Sequence, residues 1–519
     1  MAGNRKRPRW GRYIALVLAS IVAGTAWWQT SKPLPPGLHV SGVLTPVAPA
    51  SMQLLTDVTA HTNLGEPVFT RGIHAATLDL IRDAHDFLVL DYFLFNEQGG
   101  PAGKLRYESG IRPVARELRE ALLALRRAQP ALPILLLIDP INGYYRDIQP
   151  VEMSELTQAG VDIVVVDLDP LRDSNPLYSA PWRLLARWWL KPGVNGAWFN
   201  PLAADGPPLT LGSLLRVPNF KADHRKLLLT GDGAGSLVGI VSSANPHDAS
   251  SAHSNVALRL GGEVLRPLLD SELAIARFSG WHDTFIADAA QRARAAAATR
   301  VPSAVSNPVS STSVPQSGPL TDTSAAIATE GAIRDQLITA LGATERGDSI
   351  DIAMFYLSDR QVIRALLAAA DRGAAIRVLL DPNKDAFGFE KSGLPNREVA
   401  SELVAASAGA IKLRWYRTHG EQFHVKLAAI RSDHRLWLTL GSANFTRRNI
   451  GDYNLEANAI VSAPLGSGID AQESAWFETL WNNHPGGIEY TADTDLYADP
   501  SQGRYWLYRF MEASGMCTF

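Results

Sequence analysis

The sequence predicts an α/β protein of two homologous domains, each with a sheet buried on both faces between helices, behind one N-terminal membrane anchor. Three observations carry that expectation. The 519 residues exceed one ordinary core, since a domain holds roughly 100–200. Amphipathic helical stretches alternate with continuous apolar runs such as Phe87–Asn96 and Ser349–Ser358, the pattern of strands covered on both faces. The same order of elements then occurs twice, each copy placing an Asp-Pro turn after its second strand, Asp139-Pro140 and Asp381-Pro382.

Taken from the N-terminus, residues 1–12 form a basic tail with Arg5, Lys6, Arg7, Arg9 and Arg12 and no acidic group. Residues 13–30 read as a transmembrane anchor, opening on sixteen uncharged residues from Tyr13 to Trp28, close to the ~17–25 that span a bilayer. The basic block suits the cytoplasmic end and the Trp27-Trp28 pair the far interface. That orientation puts the rest of the chain on the periplasmic, extracytoplasmic side of an inner membrane. A cleaved signal peptide is the rival reading, because it shares the basic start and short apolar core. Residues 31–50 are Pro-rich and read as a tether.

The first domain spans 51–288. Helices are expected over 74–84, 112–128 and 154–160, and strands over 87–96, 132–142, 161–168, 224–230 and 236–243. Residues 171–215 have no counterpart in the other copy. They hold four of the thirteen tryptophans, Trp182, Trp188, Trp189 and Trp198, among Arg183, Arg187 and Lys191, which suits a helix lying in a lipid interface. Packing as a lid on its own domain is the competing reading. Residues 289–325, rich in Ala, Ser, Thr and Pro, read as a linker that is helical only at its start. The second domain spans 326–519, with helices over 331–347, 360–373 and 397–409 and strands over 349–358, 375–384, 411–416, 424–430, 435–442 and 455–461.

Composition narrows the chemistry. Cys517 is the only cysteine, so internal disulfides and multi-cysteine metal sites are excluded. The net charge is −3 although the first twelve residues carry five positive charges. The body is therefore acidic and a poor general surface for nucleic acid.

Polar residues, not core ones, repeat best. His224-Arg225-Lys226 returns as His424-Val425-Lys426, and Ser242-Ser243-Ala244-Asn245 returns as Gly441-Ser442-Ala443-Asn444. Asn255 returns as Asn454. On a strand, i and i+2 share a face, so each His-x-Lys would aim an imidazole and an ammonium the same way. Histidine can act as nucleophile or proton donor, and lysine supplies positive charge for an anion. Ser and Asn add neutral donors for phosphoryl oxygens. His247, His253, His419 and His434 have no repeat partner and read as ordinary surface or loop residues. Asp139 and Asp381 read as turn-formers.

His-x-Lys followed by Gly-Ser-x-Asn, present twice across about residues 60–490, resembles the phospholipase D superfamily, which includes bacterial cardiolipin synthases and phosphodiesterase nucleases. The resemblance implies two phospholipase D-like domains with mixed sheets, packed pseudo-twofold so that both histidines share one site. It implies a phosphohistidine on His224, acid/base work by His424, and phosphate held by Lys226, Lys426, Asn245, Ser442 and Asn444. Glu456 matches the family's acidic residue that orients a histidine, and which histidine it serves stays open at this level. No metal or other cofactor is implied.

Two departures stand out. The motif's aspartate, five residues after the lysine in the family, is displaced to Asp232 and Asp433, and Ala257 occupies the first-half position matching Glu456. The anchor and the Trp-rich insert point to membrane phospholipid as substrate, with water or an alcohol as acceptor and the bilayer as partner. A nuclease of the same family, or a catalytically weakened lipid-binding scaffold, are the alternatives.

Overall fold

Each half is organised around seven strands in one spatial order. The computed structural model describes residues 10–97, 111–145, 151–191, 193, 196–201, 207–299, 322–386 and 389–519. In the first half the strands are β1 (Met52–Thr62), β2 (His85–Tyr92), β3 (Ile134–Ile138), β4 (Asp162–Val165), β5 (Lys226–Gly231), β6 (Leu237–Ser242) and β7 (Asn255–Gly261). In the second they are β8 (Ser324–Thr329), β9 (Ser349–Met354), β10 (Ala375–Leu380), β11 (Ile411–Tyr416), β12 (Lys426–Ser432), β13 (Arg435–Gly441) and β14 (Ala457–Pro464). The orders β1-β7-β6-β5-β2-β3-β4 and β8-β14-β13-β12-β9-β10-β11 are the same permutation. In both sheets the second, third and fourth strands run parallel and the other pairings are antiparallel. The expected mixed α/β architecture with a duplicated sheet is therefore what the chain adopts.

The helices of the first half are α1 (Trp10–Ser31), α2 (Gly72–Arg82), α3 (Val114–Ala128), α4 (Val151–Gln158), α5 (Pro176–Pro181), α6 (Leu211–Arg216), α7 (Arg266–Phe278) and α8 (Phe285–Thr299). Of these, α2, α3 and α4 cover the outer face of its sheet, while α7 and α8 pack into the core shared with the other half. The second half contributes α9 (Gly331–Gly342), α10 (Arg360–Arg372), α11 (Asn396–Ala406), α12 (Arg447–Ile450), α13 (Gly468–Asn482) and α14 (Gln502–Ser514). Helix α10 shows the local logic. Asp359 accepts hydrogen bonds from the N–H groups of Gln361 and Val362 at its start, and Gly373 closes it at φ 95°, a left-handed cap that costs glycine little. Its buried face is Val362, Ile363, Leu366 and Ala369, spaced for one helical stripe.

The strand alternation explains how the halves join. Leu227 and Leu229 of β5 share a core with Leu427 and Ala429 of β12. Leu228 faces the helices of its own half, and Ala428 and Ile430 face those of the other. Successive residues on a strand point to opposite faces, so each sheet feeds one outer core and one core common to both.

The short connections depart from expectation. The stretch read as a tether lies on the second sheet: the Gly42 N–H donates to Ile327 O at 2.9 Å, Thr45–Pro46 pairs with β8, and Leu38 is fully buried. Reciprocally, Ile488–Glu489 pairs with β1. The segment 289–325 is helical to Thr299 and re-enters a sheet at Ser324, and 300–321 lies outside the described residues. Both ends are drawn in because sheet-edge N–H and C=O groups need partners.

Candidate active site

The two His-x-Lys motifs meet across the junction between the sheets. Neither histidine lies on a strand as expected, because β5 and β12 begin at Lys226 and Lys426. The backbone N–H of His224 donates to Leu455 O of the second half at 2.9 Å, and that of His424 donates to Ser254 O of the first at 2.9 Å. Each histidine is thus pulled off its own ladder and tied to the opposite half. Each lysine folds back on its own motif, Lys226 Nζ to His224 O at 2.6 Å and Lys426 Nζ to His424 O at 2.8 Å. The two imidazole centroids stand 6.5 Å apart, nearly perpendicular.

The Asp-Pro turns brace this arrangement. Asp139 accepts from the N–H of Ile141 in its own turn and from the N–H of Asp223 at 2.7 Å, one residue before His224. Asp381 does the same with the N–H groups of Asn383 and Phe423, the latter at 2.7 Å and just before His424. They are turn-formers, as expected, and they also anchor the histidine segments.

The histidines differ in what holds them. Glu456, fully buried, meets His224 Nδ1 at 2.8 Å, so the second half's carboxylate serves the first half's histidine. Ser442 donates to Glu456 Oε2, and Asn449 Nδ2 donates to its Oε1. On the other side Asn255 Oδ1 meets His424 Nδ1 at 3.1 Å and accepts from Ser243 Oγ at 2.9 Å. Ser243 and Ser442 are sequence equivalents and do equivalent work. Asn255 stands in for Glu456 although Ala257 is its sequence equivalent. Asn454, the sequence partner of Asn255, instead accepts from the N–H of Ala222 at 3.2 Å.

Of the other expected phosphate donors, Asn245 accepts from the N–H of Leu94 at 3.2 Å through Oδ1, which leaves its amide group as a donor. Asn444 is buried, and its Oδ1 has no hydrogen-bond partner among the described residues. Ser442 departs from expectation. It is fully buried and committed to Glu456 and to the N–H of Ala457, so it positions the carboxylate instead of facing a ligand.

The displaced aspartates sit in hairpin turns. Asp232 accepts from the N–H groups of Ala234 and Ser236, and Asp433 has φ 48° in the turn between β12 and β13. Neither partners a histidine or lysine of the motifs.

Electrostatics follow from burial. Burial pushes His224 down to about 4, against the opposing pull of Glu456. Burial, then Lys426 and Lys226, push His424 well below the ordinary histidine range. Lys226 is lowered to about 8 by burial, and Lys426 well below its usual value by burial and the charge of Lys226. Two lysines and two histidines converge with one carboxylate behind them, so an entering anion raises the proton affinity of both lysines and of His424. With Nδ1 of each ring engaged by an acceptor, Nε2 is left as the nitrogen available for chemistry.

Three features escaped the sequence reading. Phe93 lies 4.9 Å from the His224 ring and Phe355 5.0 Å from that of His424, each under its motif lysine at 5.1 Å. Each directly follows its apolar strand at the same register, one past the residue paired with the motif lysine, Tyr92 with Lys226 and Met354 with Lys426, a repeat signal too generic to read alone. Asn449 has no counterpart in the first motif. His253, expected as a surface or loop residue, packs 6.0 Å from His424 and accepts from the N–H of Gln422 at 3.1 Å. His61, His419 and Glu421 also gather, with ligand atoms within 4.8 Å, apart from the groups that hold His224 and His424.

The Trp-rich insert divides. Trp182 and Arg183 are buried, with Arg183 paired to Asp173 at 2.7 Å and Lys221 sharing that carboxylate at 2.8 Å. Trp189 is 84% exposed and Trp188 65%. The insert abuts the end of α1, where the Asp173 N–H donates to Gln29 O at 2.9 Å. Helix α1 is long and apolar enough to cross a membrane.

A duplicated α/β fold with one composite His-Lys cleft is the class these features define. A family model described as "Cardiolipin synthase, PLD-like domain" matches residues 337–481. The phosphatidylserine synthase of Haemophilus influenzae Rd KW20 shares the fold, with a TM-score of 0.50 at 10% identity over 95% of this chain and 99% of that one. Residues 337–481 thus match a phospholipase D-like domain model, and the chain as a whole shares the fold of that synthase. Two further structures are similar to this chain at lower TM-scores. Polyphosphate kinase from Porphyromonas gingivalis has TM-score 0.41 and 11% identity, covering 90% of this chain and 53% of that one. Nuc from Salmonella typhimurium has TM-score 0.26 and 18% identity, covering 33% and 98%. No curated protein matches the sequence significantly.

Proposed function

We propose that the chain is a membrane-anchored phosphodiesterase or phosphatidyltransferase acting on phospholipid through a phosphohistidine. The observation that carries this reading is the pair of imidazoles 6.5 Å apart, each locked through Nδ1 and flanked by a motif lysine. In the first step His224 Nε2 attacks phosphorus, the bond from phosphorus to the headgroup oxygen breaks, and His424 gives that oxygen its proton. In the second, water or an alcohol loses its proton to His424 and attacks phosphorus, and the P–N bond breaks. Glu456 on His224 Nδ1 steadies the positive charge that develops on the nucleophile. Asn255 carries no charge, so His424 returns readily to the neutral base that the second step needs. Lys226, Lys426, Asn245 and Asn444 hold the phosphoryl oxygens.

Phospholipid is favoured by the apolar α1 and the exposed Trp188 and Trp189 beside its end. In this reading α1 is the inner-membrane anchor and the body is extracytoplasmic. The test is incubation of the full chain with defined phospholipids, with and without glycerol or phosphatidylglycerol, alongside His224→Asn. Wild type should release or exchange headgroup, in excess chelator as well, and His224→Asn should lose turnover by many orders of magnitude. Cleavage of single-stranded DNA with no action on lipid would overturn the substrate; equal turnover by His224→Asn would overturn the mechanism.

A further inference from the structure

A second concentration of positive charge lies away from the histidines, among the outer helices of the second half. A cavity of about 290 Å³ is lined by Arg334, Arg360, Arg364, Arg447 and Arg509, with Asp359 and Glu512 as its acidic members. Asp359 is spent on capping α10, and Glu512 accepts from the N–H of Arg447 at 2.8 Å. Arg360 is neutralised by Glu402 through two 2.6 Å contacts, and Arg334 meets Asp335 at 3.4 Å.

The other three guanidinium groups form no ion pair among the described residues. Arg364 donates to Arg360 O at 3.0 Å, Arg447 to Ser174 O and the Tyr453 hydroxyl, and Arg509 to the Tyr505 hydroxyl at 2.6 Å. Neutral acceptors leave their charge in place. Guanidinium forks suit phosphate oxygens, which they bind through paired charge-assisted hydrogen bonds. We propose that this cavity is a second anion site that takes a phosphate ester, distinct from the histidine cleft.

Its surroundings place such a ligand near the bilayer. Arg447 reaches Ser174 O, and the preceding residue, Asp173, bonds to Gln29 at the end of α1. Trp506 and Phe510, either side of Arg509 along α14, are 63% and 56% exposed. A phospholipid headgroup and a soluble phosphate ester share the chemistry that the arginines recognise. Helix α12 also joins this cavity to the cleft, since Arg447 lines the one and Asn449 donates to Glu456 in the other.

The inference stands apart from the proposed catalysis and is tested by binding. The detergent-solubilised full chain is titrated in native mass spectrometry with short-chain phosphatidylglycerol and, separately, with glycerol 3-phosphate. Wild type should hold two adducts, one in each site. Arg364→Gln/Arg509→Gln should lose one, with affinity at that site falling by about tenfold or more, while turnover of a soluble phosphodiester is kept. Arg364→Glu, at an exposed helix position, should do the same without risk to folding. His224→Asn should lose turnover and keep both adducts, which separates failure of this inference from failure of the catalytic reading. Loss seen with phosphatidylglycerol alone assigns the site to lipid, and loss with glycerol phosphate assigns it to a soluble ester. A single adduct in wild type with both probes, or two adducts unchanged in the arginine variants, would overturn the proposal.

Discussion

Glu456 and Asn255 give two histidines of one motif different surroundings. The carboxylate on His224 Nδ1 and the amide on His424 Nδ1 are the main asymmetry in an otherwise duplicated cleft. Glu456→Gln keeps the shape but removes the charge behind the proposed nucleophile, and turnover should fall by about 10²–10⁴, as for comparable triad carboxylates. Asn255→Asp should raise the proton affinity of His424 and move the alkaline limb of kcat/KM to higher pH. An unmoved limb would show that Asn255 only packs.

Burial of neutral His224 has a consequence for stability. Its value is about 4 in the folded chain against about 6.5 unfolded. Between those values the unfolded state binds the extra proton, so stability is complete above about pH 6.5 and declines as pH falls toward 4. Denaturant melts of wild type and His224→Asn across that range check the sign, and the variant should lose less.

Among the elements, the insert abuts the end of α1, and the proposed function makes the two its membrane-facing unit. Trp188→Ala/Trp189→Ala should weaken action on bilayers far more than on a soluble short-chain phosphodiester, because the exposed rings contribute docking and not chemistry. Equal loss on both substrates would make them structural. Trp182 belongs to a different role. It is buried beside the Arg183–Asp173–Lys221 ion cluster, and no hydrophobicity pattern separates it from its neighbours at 188 and 189, since composition does not reveal which side of a short irregular helix meets the domain.

The whole molecule depends on a core that neither half owns. Leu227, Leu229, Val256 and Leu258 of one sheet pack with Leu427, Leu440, Ala457 and Ala459 of the other. The strand pairings Thr45–Pro46 with β8 and Ile488–Glu489 with β1 lace the ends across. Residues 326–519 produced alone should therefore be insoluble or molten, and coexpression with the first half should restore a folded complex. Cooperative unfolding of the isolated half would refute a shared core. The same dependence governs the cleft. The double His-x-Lys and Ser-x-Asn pattern, the duplicated α/β order and the apolar N-terminal helix are all legible in the residues, because strand and helix periodicities and repeated polar spacings are local properties. The partner of each histidine is not local: Glu456 crosses to His224 and Asn255 to His424 out of sequence register. Likewise Ser442 turns to Glu456 and His253 comes in against His424. Those assignments arise only when two sheets close face to face and buried polar atoms must take whichever partner the other half supplies.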